Sequence, residues 1–194
     1  MHHIYHTEGI ILGSRNFGEA GRYYSIFTRE LGMIRASAQG VRKLSSKLRY
    51  VMQDYSYIKV DLVRGKDFWR VTSASSTGEL SEILKSNETF KIVSNVSRLL
   101  VRLLHGEEQN VPLFNDLLGG FYLLEQKAGN KEDLLNAEMV LVLRALHHLG
   151  YFSGDARLVS LVGSPWADEM LPVAGSSRPL ILAEINKALS ETQM

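Results

Sequence analysis

The residues of this chain that are best suited to binding chemistry are cations clustered between positions 31 and 53. This stretch contains no Asp or Glu, yet it carries Arg35, Arg42, Lys43, Lys47 and Arg49. Cations without neighbouring acids attract phosphate groups, and nearby aromatic side chains can stack on unpaired bases. Tyrosines occupy positions 23, 24, 50, 55 and 57 around the stretch. The pattern therefore predicts a surface that binds nucleic acid.

The net charge of +1 hides two parts of opposite sign. Residues 1–70 contain 12 Lys or Arg and 6 Asp or Glu, which gives +6, whereas residues 71–194 contain 10 and 15, which gives −5. Such an uneven distribution predicts a basic N-terminal part that binds anions beside a mildly acidic C-terminal part.

Composition indicates an ordinary folded protein of one or two domains, because 45% of the 194 residues are hydrophobic and 22% are charged. No apolar run approaches the ~18 residues that would span a bilayer. The N-terminus lacks the apolar segment of a secretory signal, so we expect a cytoplasmic protein without membrane contact. The absence of cysteine excludes disulfides and thiolate zinc sites.

Five short strands are predicted in the first 79 residues, because β-branched and alternating runs are separated by tight turns. They cover residues 9–13, 23–28, 33–39, 54–62 and 68–73. The fourth is the clearest, with Ile58, Val60 and Leu62 on the face that would be buried. Tyr24 and Phe27 are expected to pack in the core. Five such strands indicate a small β-barrel.

After Gly78 the hydrophobic period changes to about 3.6 residues, which is typical of helices. Helices are predicted over residues 90–105, 112–127, 131–149 and 180–190, and an irregular loop over 153–179. The first is amphipathic, with an apolar face made of Phe90, Val93, Val96, Leu100, Leu103 and Leu104. Residues 139–146 of the third are apolar nearly all round, so it should be the central helix of a bundle. The predicted fold class is α+β, with an all-β domain at 1–79 and a helical domain at 80–194.

An enzyme is not expected, because the sequence lacks the motifs that nucleotide, zinc-protease and nucleophile chemistry require. No GxG spacing, P-loop, HExxH or GxSxG occurs. Histidines at positions 2, 3 and 6 stand at a terminus that is expected to fray and is a poor metal site, and His147 and His148 are consecutive on a helix, so they point about 100° apart. We therefore predict no catalytic residues, no metal and no cofactor.

Lys91, Arg98 and Arg102 share the polar face of the first long helix. Two interpretations remain open. They form an ordinary solvated face, or they receive an acidic partner peptide beside an apolar groove.

The order and spacing of several segments resemble the RecO family of DNA repair proteins. In the N-terminal part these segments are Phe17-Gly18-Glu19-Ala20, Ile26-Phe27-Thr28, Leu31-Gly32-Met33 and Ala38-Gln39-Gly40-Val41-Arg42-Lys43. In the helical part, Leu146-His147-His148-Leu149-Gly150-Tyr151-Phe152 is similar to the end of the family's central helix, and Ile185-Asn186-Lys187-Ala188-Leu189 to its C-terminal helix.

This resemblance implies an N-terminal OB-fold, a helical domain and a bacterial, nucleoid-associated recombination mediator. Such proteins bind single- and double-stranded DNA, anneal complementary strands and, with RecR, help RecA replace single-strand-binding protein. The implied DNA-binding positions are Arg15, Arg22, Arg35, Arg42, Lys43, Lys47 and Arg49. The acidic tail of single-strand-binding protein would then bind near Lys91, Arg98, Arg102 or Arg144 in the helical part.

The sequence departs from the family in three ways. Gly21 stands where the family usually has an acidic residue, residues 153–179 contain none of the four cysteines of the zinc ribbon found in many members, and the chain is compact. The compact form puts part of the RecR contact in question. Two alternative functions remain, a protein-binding adaptor without DNA contact and an RNA-binding OB protein.

Overall fold

The computed structural model describes residues 3–80, 82–152 and 155–192. The chain divides into two compact units, Met1–Ser81 with Ser97–Val111 and Glu82–Val96 with Pro112–Met194. The first unit contains the β-strands and the second contains most of the helical residues. The strand-containing unit thus includes residues 97–111, which the sequence pattern assigns to the helical domain.

The N-terminal strands form a closed barrel in the order β1-β2-β3-β5-β4. The strands are β1 Ile4–Phe17, β2 Gly21–Thr28, β3 Gly32–Ala38, β4 Tyr57–Arg64 and β5 Trp69–Ser76. All neighbouring pairs are antiparallel except β3 and β5, which pair in parallel through two residue pairs. This five-stranded closed barrel confirms the predicted β module and is an OB-fold.

Strand β1 is much longer than the sequence predicted because it serves two neighbours. Its first half pairs with β4 and its second half with β2, and the register shifts between Ile11 and Gly13. A bulge of this kind bends a strand, which allows one strand to contribute to both sides of a small barrel. Polar residues flank the short apolar run of β1, so the sequence pattern indicated a strand of only five residues.

The barrel core contains the predicted inward faces of the strands. Ile58, Val60 and Leu62 of β4 are each no more than 1% exposed. Tyr24 and Phe27 are also buried, as predicted. Burial raises the pKa of the Tyr24 hydroxyl, which donates a hydrogen bond to the Met52 carbonyl at 3.3 Å.

The helices are α1 Leu48–Val51, α2 Asn87–Leu103, α3 Val111–Gln126, α4 Lys131–His148, α5 Val159–Gly163, α6 Met170–Ser176 and α7 Arg178–Glu191. The prediction of α2, α3, α4 and α7 is confirmed to within about three residues at each end. Helix α4 is the central one, since it packs against α5, α6 and α7. The predicted apolar face of α2 is buried at Val93, Val96, Leu100 and Leu103, but Phe90 is 42% exposed. Among the described residues, no helix is both long and apolar enough to cross a membrane.

The prediction of an irregular loop over 153–179 is wrong for most of the described part of that range. A 3₁₀ turn at Ala156–Leu158 and helices α5 and α6 occupy it, and Leu161 and Leu171 are buried. Residues 153 and 154 lie outside the described residues. Pro172 and Pro179 stand in the first turns of α6 and α7, where a missing N–H removes no helical hydrogen bond, and Pro165 lies between α5 and α6.

The adjacent glycines of α3 make room for a tryptophan. A Cβ on Gly119 would lie 2.6 Å from Cδ1 of Trp166, and one on Gly120 would lie 2.5 Å from Cδ1 of Leu141. The Trp166 indole also donates a hydrogen bond to the Asp116 carbonyl at 3.0 Å. The two glycines are therefore a site of close packing, where α4 and the segment after α5 approach α3.

Gly32 and Gly18 offer a matched test of backbone geometry in the barrel unit. Both have positive φ, but a Cβ on Gly32 would lie 2.2 Å from the Glu108 carbonyl oxygen, whereas nothing lies within 4 Å at Gly18. We expect Gly18→Ala to cost about 1–2 kcal/mol, from the left-handed conformation alone. Gly32→Ala should cost about 2–5 kcal/mol because it adds a backbone clash. Urea unfolding of both variants measures the difference, and equal losses would contradict the contact between Gly32 and Glu108.

Candidate nucleic-acid interface

The basic loop, residues 40–53 between β3 and β4, is fixed to the barrel by its apolar residues. Val41 and Met52 are 2% and 1% exposed and belong to the barrel core. The Arg42 amide donates a hydrogen bond to the Ala20 carbonyl at 3.0 Å, which holds the start of the loop beside the β1–β2 turn. Helix α1 forms the second half of the loop. The loop is therefore anchored at both ends.

The cations of this loop are exposed to solvent. The side chains of Arg42, Lys43, Lys47 and Arg49 are all exposed, as are those of Arg15 on β1 and Arg35 on β3. Among the described residues, no carboxylate forms an ion pair with any of these six side chains. Six cations without ion-pair partners leave their charge available to an anionic ligand.

Arg22 is the exception in the predicted set. Its side chain is only partly exposed, and its Nε donates a hydrogen bond to Oδ1 of Asn16 at 3.0 Å. Because one face of the guanidinium is already used, Arg22 is less available to a phosphate than the other six cations.

Arg35 borders two clefts of the barrel unit, with volumes of about 380 and 360 Å³. The larger cleft is also lined by Arg64 at the end of β4 and Lys66 in the β4–β5 turn, and the smaller one by Arg15 and Arg98. The sequence pattern missed Arg64 and Lys66 because they stand at a turn that also carries Asp67. Only the barrel topology brings this turn beside β3.

Of the flanking tyrosines, two are held inside the unit. Tyr24 lies in the core, and Tyr57 is 5% exposed and donates a hydrogen bond to Oε2 of Glu8 at 2.8 Å. Burial and the adjacent Glu8 carboxylate raise the pKa of Tyr57 to about 12. Tyr50, at 71% exposure, is accessible to a ligand, and Tyr23 is partly exposed. Of these four tyrosines, Tyr23 and Tyr50 are thus accessible for stacking on a base, whereas Tyr24 and Tyr57 are not.

The polar face of α2 is shared between the two units. Arg98 and Arg102 are exposed and belong to the barrel unit, whereas Lys91 belongs to the helical unit. Lys91 borders a groove of about 420 Å³ between α2 and α4, with Leu134 and Leu135 among its apolar lining residues. Lys91 therefore belongs to a different unit from Arg98 and Arg102, and the three cations do not form one binding surface within a single unit.

Arg144 is not available to a peptide, which corrects its predicted position at the mouth of a groove. It is 1% exposed, and its guanidinium donates to Oδ1 of Asp116 at 2.7 Å and to the carbonyl oxygens of Leu161 and Ser164. Its Cζ lies 4.3 Å from the centre of the Trp166 ring. The partners of Arg144 are distant in sequence, so its position on an apolar helix gave no sign of a structural role.

His148 shares the same carboxylate. Its Nε2 lies 2.6 Å from Oδ2 of Asp116. Burial of the Asp116 carboxyl acts to raise its pKa, but the contacts with His148 and Arg144 outweigh burial and lower it overall. This contact supports a structural role for His148.

The N-terminal histidines show a similar local contact. His6 Nδ1 lies 2.6 Å from Oδ1 of Asp61, whose pKa is lowered by hydrogen bonds from Ser73 and His6. His2 lies outside the described residues. Within the described part of the chain, no group of three potential ligands is placed to hold a metal ion.

A closed OB barrel with unpaired surface cations, followed by a mainly helical unit, defines an OB-fold protein with a candidate polyanion-binding surface. Residues 1–79 match the family described as Recombination protein O N terminal. Those residues belong to that family, and the chain is a relative of the RecO proteins, as the sequence resemblance implied.

Three relatives are each named DNA repair protein RecO. The protein of Heliobacterium modesticaldum is 33% identical over 148 residues, which cover 76% of this chain and 52% of the relative. Those of Clostridium novyi and Clostridium acetobutylicum are each 25% identical, over 73% and 76% of this chain and 56% and 59% of their own. The chain thus spans little more than half the length of these relatives.

Proposed function

We propose that this chain is a recombination mediator in DNA repair that binds single- and double-stranded DNA through the basic loop and the adjoining strands. In this role it anneals complementary strands and, together with RecR, assists RecA in loading onto DNA coated by single-strand-binding protein. No bond is made or broken. The names of the relatives support the repair role, and the barrel surface supports the DNA contact.

The observation that carries the proposal is the set of six exposed cations without ion pairs on one OB-fold unit. Cations bound to the phosphates of two strands reduce the repulsion between them and release condensed counterions. Complementary bases can then meet. The mechanism needs no cofactor and depends on ionic strength.

An annealing assay on the purified chain tests the function. Two complementary labelled oligonucleotides should anneal faster with the protein than without it, and the acceleration should disappear as salt is raised. RNA oligonucleotides that compete as strongly as DNA would favour an RNA-binding protein instead. Absence of binding to either nucleic acid at low salt would favour the adaptor and overturn the proposal.

The acidic tail of single-strand-binding protein is proposed to bind the helical unit in the groove between α2 and α4. Leu134 and Leu135 offer apolar surface, and Lys91 supplies a charge for an acidic peptide. The groove also contains Glu138, whose pKa is raised by burial. Affinity is therefore expected to rest on the apolar residues as well as on Lys91.

Lys91→Glu should weaken the binding of a labelled tail peptide about tenfold, because one attractive contact becomes repulsive. Lys187→Glu is the matched control, since Lys187 is an exposed lysine of the helical unit that does not line the groove. Arg98→Glu and Arg102→Glu test the original prediction for the rest of the α2 face. Fluorescence anisotropy measures all four, and equal affinities for Lys91→Glu and Lys187→Glu would exclude the groove.

A further inference from the structure

Three aromatic rings form a continuous row on the barrel unit. The centres of the Phe17 and Tyr23 rings are 4.2 Å apart at an interplanar angle of 27°, and those of Tyr23 and Phe68 are 4.7 Å apart at 37°. All three side chains are partly exposed, and none belongs to the barrel core. The row joins the end of β1, the start of β2 and the β4–β5 turn. Residues distant in sequence thus build one aromatic surface.

Gly21 is what allows the row to form. A Cβ at this position would lie 2.5–2.8 Å from three carbon atoms of the Phe17 ring. The backbone does not require glycine here, because Gly21 is absent from the residues with positive φ. The missing side chain instead leaves the space in which the Phe17 ring lies across β2 and reaches Tyr23.

Cations stand beside this row. The Arg15 guanidinium lies 5.3 Å from the centre of the Tyr23 ring. Arg35 and Phe68 line the same two clefts. The basic loop also begins next to the β1–β2 turn, through the hydrogen bond from Arg42 to Ala20. Aromatic faces bordered by cations without ion pairs are suited to a strand that presents bases and phosphates together.

We propose that the row of Phe17, Tyr23 and Phe68 is a stacking platform for the unpaired bases of a single DNA strand. Tyr23 is the middle ring, so bases stack on the outer rings, Phe17 and Phe68. Arg15 and Arg35 bind the flanking phosphates. Bases inside a duplex are already stacked on each other, so the platform distinguishes single strands from duplexes. This inference rests on the proposed DNA-binding function and adds a base-dependent component to it.

An oligomer without bases separates stacking from phosphate binding. The test compares a thymidine oligonucleotide with an abasic oligomer of the same length and charge, by fluorescence anisotropy at one salt concentration. The chain should bind the thymidine oligomer at least about tenfold more tightly, since stacking on one aromatic ring commonly changes affinity by this factor. Phe17→Leu and Phe68→Leu should each lower that preference about fivefold or more, while leaving the salt dependence unchanged.

Gly21→Ala tests the arrangement of the row without removing an aromatic ring or a charge. The added methyl group displaces the Phe17 ring, so the preference for bases should fall as far as in Phe17→Leu. The double variant Gly21→Ala/Phe17→Leu should show no further loss, because both changes act on the same ring. Phe90→Leu, which removes an exposed ring in the helical unit, is the matched control and should keep the full preference.

The possible outcomes separate this inference from the function on which it rests. Salt-dependent binding with equal affinity for both oligomers would overturn the platform and leave the DNA-binding function standing. A preference that survives in Phe17→Leu, Phe68→Leu and Gly21→Ala, each shown to be folded by its circular dichroism melting curve, would also overturn it. Binding of neither oligomer would overturn both.

Discussion

Reversing the charges of the four basic side chains in the basic loop is expected to abolish most of the affinity for DNA. Each phosphate contact contributes about 0.7 to the slope of log affinity against log salt for single strands. Replacing Arg42, Lys43, Lys47 and Arg49 with glutamate should therefore lower the magnitude of the slope by about 2.8. Affinity at low salt should fall by about 10²–10³-fold, because four attractive contacts become repulsive. Titrations at several salt concentrations measure both quantities.

A control for total charge is needed, since any reversal makes the protein more negative. Lys47→Glu/Arg49→Glu changes the net charge as much as Lys85→Glu/Lys187→Glu, which alters exposed lysines of the helical unit. The loop pair should weaken binding at least about tenfold more than the control pair. Similar losses from the two pairs would mean that the loop is not the principal contact.

Replacing Arg144 with methionine should give the largest loss of stability in the helical unit. The change removes the hydrogen bond to Asp116 and leaves the carbonyl oxygens of Leu161 and Ser164 without this donor. Breaking a buried ion pair from one side typically costs about 3–5 kcal/mol. The melting temperature should fall by about 10 °C, and calorimetry measures the change.

Arg157 provides the matched control, because it pairs with Asp155 at 2.7 Å but its side chain is 71% exposed. Solvent screens such a pair, so Arg157→Met should change the melting temperature little. The double variant Arg144→Met/Asp116→Leu should recover part of the lost stability, since it removes the buried charge that the single change leaves behind. Equal effects of Arg144→Met and Arg157→Met would contradict a structural role for Arg144.

Local patterns were sufficient to predict the barrel and the long helices. The alternation around Ile58, Val60 and Leu62 predicted a strand, and the apolar character of 139–146 predicted the central helix. The first pattern alternates, so burial of one face determines the strand, and the second is a nearly continuous apolar segment that is buried on nearly every side. The exposed cations of the basic loop could also be identified, because an uninterrupted basic segment is visible in sequence alone.

Features that depend on residues distant in sequence could not be predicted. Arg144 is buried because Asp116 and two carbonyl groups surround it, and no local pattern encodes that contact. Helices α5 and α6 are too short for a clear period, and they are stabilised by packing on α4 rather than by their own propensity. The aromatic row depends on the space that Gly21 leaves for the Phe17 ring, and this contact arises only when β1 and β2 pair in the folded barrel.

The parallel pairing of β3 with β5 has a consequence for the motions of the barrel. Only Ala36 with Trp69 and Ser37 with Arg70 are paired along this seam, whereas each of the other neighbouring strands shares at least seven pairs. Two strands that share few hydrogen bonds separate at a lower free-energy cost than two that share many, so local opening of the barrel should begin between β3 and β5. The amide protons there should exchange with deuterium earlier than those of β4. Arg35 immediately precedes the residues of β3 that pair with β5. Transient separation of these two strands would therefore expose more surface around Arg35 without unfolding the rest of the barrel.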